Sequence, residues 1–408
     1  MRSAPKWRAF VPTGRQIRFA AMRWVAALSP SLAHRWHLHL SMGGWELAET
    51  TTIKRWDLKA ERPLPHPLVE GIEAEFALDM QVCGGVCHAD PRTMIELRRF
   101  GPALVFGHSA QAVDRASGLS ITAVNRNQAR PARLRETRIE GLCLNLLDVR
   151  PGKQQYYFFY IKQFEYRWKA AGAAAALDQP VTVLLSPTTK ANELAFRAML
   201  AKRYPALKQR VVATDACIAC DGLLQALYQR DCVYRGASSE VALEETVSVF
   251  REAFGITPSV RPERLLYLSR RDAGIRRIRN EEALEAMLAR HGFESVTATD
   301  YDHAGQVRLF GEARAVIGAH GAGLTNIIFM APGGALMELF GRGYVQGAYL
   351  WLAHLRGHDY AWHIADMTYA KQDFALSDGD LSAIEAWAVR VASGVVAAPD
   401  AVAGPAAP

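Results

Sequence analysis

The most regular hydrophobic pattern in the chain lies between residues 264 and 341. Short apolar runs rich in β-branched and leucine residues alternate there with stretches whose apolar positions recur every three or four residues. Runs at 264–269, 295–298, 315–317 and 335–339 read as buried strands; segments at 280–292, 303–313 and 324–330 read as helices. Strict alternation of strand and helix predicts a parallel, doubly wound sheet.

The region before it follows a looser α/β pattern. Strands are predicted at 103–106, 118–124, 141–147, 181–185 and 210–213, and helices at 192–203 and 244–254, the last stopped by Gly255. Residues 126–138 are Arg-rich and read as a solvated loop or edge. The aromatic run from Tyr156 to Trp168 reads as a buried helix, and the Ala-rich stretch 169–178 as its weak end or a linker. Pro63, Pro65 and Pro67 mark an extended connector, and Pro258 and Pro262 a domain boundary. The predicted division is an N-terminal extension with its connector (1–68), a first α/β domain (69–258), a Rossmann-like second domain (259–394) and a disordered Ala/Pro/Gly/Val tail (395–408).

Composition narrows the class. The chain has 408 residues, 50% hydrophobic and 22% charged, with a formal net charge of +7. That length predicts two domains, and the modest basic excess favours anionic ligands. Nothing in it argues for nucleic acid: zinc-finger spacing and RNA-binding signatures are absent. Six cysteines stand at 83, 87, 143, 217, 220 and 232. Their spacing fits no zinc ribbon, and buried reduced thiols of a cytoplasmic protein are expected. No apolar run is long enough to span a membrane. The basic N-terminus, with Trp7, Arg8, Arg15, Arg18, Arg23 and Trp24, fits peripheral contact with the inner face of the plasma membrane, and equally an ordinary surface helix.

Candidate chemistry gathers where the strands of the second domain end. Val316 and Ile317 lead into Gly318-Ala319-His320-Gly321-Ala322-Gly323, a stretch of nearly bare backbone, before Leu324, Thr325 and Asn326 open a helix. Small residues let a ligand approach the main chain, and a helix start favours an anion. Arg270, Arg271, Arg276, Arg277 and Asn280 follow the strand at 264–269 and suit a diphosphate, because guanidinium offers a planar fork of donors. Glu338, at a strand end, suits ribose hydroxyls. Asp300 and Asp302, and Asp378 and Asp380, have the look of metal-binding pairs, but helix capping at Asp302 and a polar turn at 378–380 account for them, and no metal site is assigned.

These segments, in this order and spacing, resemble glycosyltransferase family 61. The matching pieces are Leu268-Ser269-Arg270-Arg271-Asp272, Arg277-Ile278-Arg279-Asn280-Glu281, Gln306 ahead of an apolar helix, the run from Gly318 to Asn326, Pro332-Gly333, and Glu338-Leu339. The resemblance is strong over 263–345, faint over 95–260, and does not reach the first 60 residues. It implies a GT-B-like architecture, two Rossmann-like domains facing a cleft. It also implies inverting, metal-independent transfer from a nucleotide-sugar, typically a UDP-sugar, to a surface glycan or glycolipid acceptor, as in capsular polysaccharide biosynthesis, with no cofactor besides the donor. By position, Arg270 and Arg277 would meet the diphosphate. The His320 loop with Gly321, Ala322 and Gly323 would face the donor, Thr325 and Asn326 would assist at the helix start, and Glu338 would bind ribose.

One family motif is missing. An Asn-Tyr-aromatic-His-aromatic sequence expected in the first domain reads Gln155-Tyr156-Tyr157-Phe158-Phe159. The catalytic base is therefore open among His320, Asp272 and Asp148, and a non-catalytic nucleotide- or glycan-binding descendant of the fold is the alternative reading. A Rossmann oxidoreductase is disfavoured, because the G-x-G-x-x-G fingerprint with its downstream acid is absent.

Overall fold

The computed structural model describes residues 50–57, 94–115, 121, 135–148, 160, 163–228, 240–259 and 261–394. The basic N-terminus, the proline connector, the run Gln155 to Phe159, Cys83, Cys87, Cys232 and the tail from 395 lie outside them.

Two sheets organise the described chain. The first contains β1 (Thr50–Asp57), β2 (Met94–Phe100), β3 (Ala103–Phe106), β4 (Ala112–Asp114), β5 (Arg135–Asn145), β6 (Val181–Leu185), β7 (Leu207–Val211) and β8 (Ala216–Tyr228), in the order β1-β2-β8-β5-β6-β7, with β3 also on β8 and β4 on β3. Helices α1 (Phe164–Ala175) and α2 (Ala191–Arg203) cross over β5-β6 and β6-β7, and α3 (Glu240–Phe254) follows β8. Neighbours within β8-β5-β6-β7 are parallel; β1, β2, β3 and β4 join antiparallel. The sheet is therefore mixed. Residues 50–57, predicted as part of the extension, form its edge, and 135–138, predicted as loop, begin β5. The Ala-rich stretch after Trp168 is no linker: α1 runs through it to Ala175, because alanine is the strongest helix former and Ala170, Ala171 and Ala174 are buried.

The second sheet is wholly parallel: β9 (Arg264–Ser269), β10 (Phe293–Thr297), β11 (Ala313–Ala319), β12 (Ala335–Gly341) and β13 (Asp359–Ala365), in the order β10-β9-β11-β12-β13. Connections run through α4 (Glu281–Ala289), α5 (His303–Gly311), a 3-10 helix (Ala322–Phe329) and α6 (Ala348–Arg356). The short hairpin β14 (Met367–Thr368) and β15 (Phe374–Ala375) precedes α7 (Asp378–Ala392). The strands are nearly all buried, as a parallel sheet covered on both faces requires. Asp302 caps α5 by accepting from the Gly305 N–H at 2.6 Å, and Asp380 completes a capping box with Ser377 at α7.

In chain order the second sheet reads 2-1-3-4-5, so the winding reverses between β9 and β11. Open α/β sheets hold their ligands beyond the carboxyl ends of the strands at such a reversal.

The two sheets share packing rather than standing apart. One buried cluster runs from Leu144, Phe196 and Phe250 of the first unit to Phe310, Phe329 and Leu336 of the second. Tyr160 stacks on His303 with ring centroids 5.4 Å apart, bonds it through its hydroxyl, and meets Phe250 and Phe329 edge-on.

Candidate functional site

The loop leaving β9 carries Arg270 back to the end of β11. Its guanidinium lies where a Cβ at position 321 would stand, so Gly321 is required for space rather than for backbone conformation. Gly318 serves similarly within β11: a Cβ there would sit 2.9 Å from the Leu268 carbonyl. Bare backbone at the end of β11 thus brings arginine and elbow together, as the sequence predicts.

Arg276 supplies the second guanidinium. It lies over the Tyr344 ring at 4.9 Å, and burial first, then the nearby charge of Arg276, holds Arg270 below the ordinary guanidinium range. Neither arginine makes an ion pair among the described residues, and the Nε of each is buried without a partner. Asp272 acts on Arg270 only as a nearby charge, without an ion pair, and two adjacent guanidiniums so placed suit an anion. The backbone of Arg276 has φ 58°, a left-handed conformation that disfavours side chains, and its N–H donates to the Lys371 carbonyl at 3.1 Å.

The other predicted donor contacts have protein partners instead. Arg271 pairs with Glu285 and donates to Ser269 Oγ. Arg277 and Arg279 both meet Asp373, at 3.4 and 3.2 Å. Asn280 exchanges two hydrogen bonds with the Leu376 main chain. Arg271 ties the loop to α4, and the other three brace it against the residues from Asp373 to Leu376. The distinction follows the alternation of an extended segment: Ile278 is buried, so 277 and 279 point together to the opposite side, toward Asp373. That period-two signal around Ile278 could have separated Arg276 from Arg277.

The helix Ala322–Phe329 completes the crevice. Asn326 donates to Gln306 Oε1 at 2.9 Å and to the Gly323 carbonyl at 3.1 Å, tying the helix to α5. Thr325 is fully buried and its Oγ1 has no hydrogen-bond partner among the described residues. At the far end, Arg251, Arg356 and His358 bond to the carbonyls of Phe329, Met330 and Ile327. The guanidiniums of Arg251 and Arg356 thus satisfy carbonyls at the C-terminal end of this helix, while its N-terminal end, beside Arg270, faces the crevice. Ala322 and Gly323 keep partial exposure there.

His320 is buried (6% exposed) beside this elbow. Its N–H bonds the Leu339 carbonyl, and its Nδ1 lies 2.5 Å from Glu338 Oε1. Phe340, Tyr344 and Tyr349 surround the imidazole at centroid distances of 5.4, 5.7 and 5.2 Å. Tyr344 therefore touches both His320 and Arg276. Glu338, predicted against ribose, is fully buried with both oxygens engaged: Oε1 faces His320 and Oε2 accepts from Tyr360 at 2.7 Å. A carboxylate on Nδ1 leaves Nε2 as the lone-pair nitrogen, and Nε2 bonds no described residue.

The other two base candidates are less available. Asp272 accepts from Thr299 Oγ1 at 2.7 Å. Asp148 is buried in the first unit and accepts from Gln163 at 2.8 Å. Cys143, Cys217 and Cys220 are free and buried. No group of three His, Cys, Asp or Glu side chains placed to hold a metal ion occurs among the described residues, and none of their helices is long and apolar enough to cross a membrane.

No curated protein matches this chain. A family model does. It spans residues 186–337, taking in Arg270, Arg276, His320 and Gly321 and ending one residue before Glu338. That model is glycosyltransferase 61, and over this span the chain is similar to that family.

Proposed function

We propose that this protein transfers a sugar from a nucleotide-sugar, with a UDP-sugar as the favoured donor, to a glycan or glycolipid acceptor. The observation that carries the reading is the pair of guanidiniums, Arg270 and Arg276, that form no ion pair among the described residues at the winding reversal and are set against Gly321 and Tyr344. Together with the start of the 322–329 helix they supply the positive charge that a departing diphosphate needs. That supports a metal-independent mechanism and a GT-B-like use of the crevice between the two α/β units.

In this reading His320 Nε2 takes the proton of the acceptor hydroxyl as that oxygen attacks the anomeric carbon. The bond from the anomeric carbon to the diphosphate oxygen breaks with its electron pair, and the guanidiniums meet the new charge. A single displacement inverts the anomeric centre. Glu338 holds the imidazole in the required tautomer, as the acidic member of a catalytic triad does. The surface-polysaccharide acceptor and a membrane-apposed location belong to the same proposal.

Calorimetry with UDP tests it. A charged hydrogen bond contributes about 1.5–3 kcal/mol, so Arg276→Ala should weaken UDP roughly tenfold to a hundredfold. Arg277→Ala, which removes a brace rather than a ligand contact, should weaken it far less. Equal losses in both variants would overturn the assignment, and transfer abolished by EDTA would overturn metal independence.

A further inference from the structure

The third member of the His320 system is Tyr360. We infer that Tyr360 is a positioning residue for the base: it fixes the Glu338 carboxylate, and through it the tautomer and aim of the His320 imidazole. This rests on the reading of His320 as base.

The geometry begins in strand register. In the parallel pair β12-β13, Leu336 lies opposite Tyr360 and Glu338 opposite Trp362. Tyr360 is thus the diagonal neighbour of Glu338 on one face of the sheet, within reach of a long side chain. That face is otherwise apolar: Leu336, Phe340, Trp362 and Ile364 belong to the core cluster it joins. A phenylalanine would fill the same volume. The hydroxyl, buried on a residue 5% exposed, has Glu338 Oε2 as its partner, at 2.7 Å.

The direction of that bond follows from charge. Burial first, and then the Glu338 carboxylate, push Tyr360 ionisation well above its ordinary range. The phenol therefore stays protonated at any working pH and can only donate. Oε2 is occupied, the carboxylate cannot rotate away, and Oε1 remains 2.5 Å from Nδ1. An imidazole facing a carboxylate places its proton on Nδ1. The lone pair of Nε2 is thereby set from two residues away.

Other groups surround the imidazole. Tyr344 and Tyr349 pack on it from the loop after β12 and from α6. Arg270 reaches the adjoining Gly321 from the loop after β9, and Arg276 lies on the Tyr344 ring. All four of these groups are retained in Tyr360→Phe. A change on removing the Tyr360 hydroxyl therefore reports on Glu338 and not on a second titration.

The test is Tyr360→Phe, which keeps the ring and its packing. Imidazole nitrogen shifts in protein labelled at histidine, with His320 identified by its loss in His320→Gln, should show an Nδ1–H tautomer in the parent. Tyr360→Phe should show a mixture. UDP affinity should stay within about twofold and kcat fall about tenfold. The acidic limb of the rate profile should move up by about one pH unit, since a carboxylate stripped of a donor pulls harder on imidazolium. An unchanged tautomer and an unmoved acidic limb in a folded Tyr360→Phe variant would overturn the inference. A tautomer change with no loss of transfer, together with an active His320→Gln, would leave the positioning of His320 standing and remove its role as base. Loss of UDP binding as large as the loss of kcat would mark Tyr360 as a packing residue only.

Discussion

The guanidinium of Arg270 occupies the space that a side chain at position 321 would fill. This relation makes the elbow and the arginine one unit, and it gives a prediction that does not depend on the sugar. In Gly321→Ala the new methyl meets the far end of a flexible side chain, which can swing into solvent at small cost in stability. UDP affinity should fall about tenfold. Arg270→Ala should cost the same, and the double variant little more than either single, because both remove one contact. Additive losses by calorimetry would show that Gly321 serves the ligand directly.

Arg276 gives a second prediction, in which stability and binding part company. A non-glycine residue at φ 58° carries strain of roughly 1–2 kcal/mol, and glycine returns about 0.5–1 kcal/mol of it as extra disorder in the unfolded chain. Arg276→Gly should therefore unfold at a midpoint equal to or slightly above the parent, while UDP affinity drops tenfold or more. Urea titrations alongside calorimetry check it. A variant that is both less stable and unaltered in binding would mean that Arg276 braces the loop.

The same residues show how much the chain reveals before it folds. Strands β9, β11 and β12 announce themselves, because a parallel sheet covered on both faces needs continuous apolar runs. The elbow at 318–323 is equally plain, since side chains vanish where backbone must approach. Strand β8 is not. Cys217, Ala219, Cys220 and Gly222 blur its alternation, and it serves β3 with one half and β2 with the other. The partners of Glu338 are hidden for a different reason: Tyr360 lies 22 positions away and meets it through sheet register, which no local pattern encodes. Arg276 and Arg277 are adjacent and alike, and Asp373, nearly a hundred positions on, decides between them.

The first unit holds a buried ion pair that predicts acid sensitivity. Arg167 grips Glu193 with two bonds at 2.7 and 2.8 Å, and Arg197 adds a third at 3.1 Å. Burial opposes the Glu193 charge, but the two guanidiniums prevail and hold its carboxyl below the ordinary range. A depressed carboxylate contributes stability above the unfolded value, about 4.3, and loses it as pH falls through the folded one. Glu193→Gln strands the Arg167 charge and should destabilise by about 3–5 kcal/mol at pH 7. The difference from the parent should shrink below pH 4, as seen in denaturant midpoints.

Between pH 5 and 7 the balance passes to His303 and Glu165, which act with opposite signs. Burial lowers His303 to about 4, so the folded protein keeps it neutral where the unfolded chain, at about 6.5, is already protonated. Its stabilising share is present above 6.5 and is lost as pH falls from there toward 4. Glu165 is pushed up to about 7, by burial first, against the opposing charge of Lys169. The folded protein keeps that carboxyl protonated, so its share is present below about 4.3 and is lost as pH rises toward 7. Urea unfolding at pH 5 and pH 7 separates them. His303→Gln should remove an acid-side loss on the order of 1–2 kcal/mol and leave the Glu165 effect unopposed, so that stability falls as pH rises from 5 to 7. Glu165→Gln, neutral throughout, should gain stability relative to the parent at pH 7 and leave a steeper fall toward pH 5. Parallel pH profiles for parent and both variants would show that neither group titrates with folding. In that case the Tyr160–His303 contact between the two units would hold equally well at acid pH.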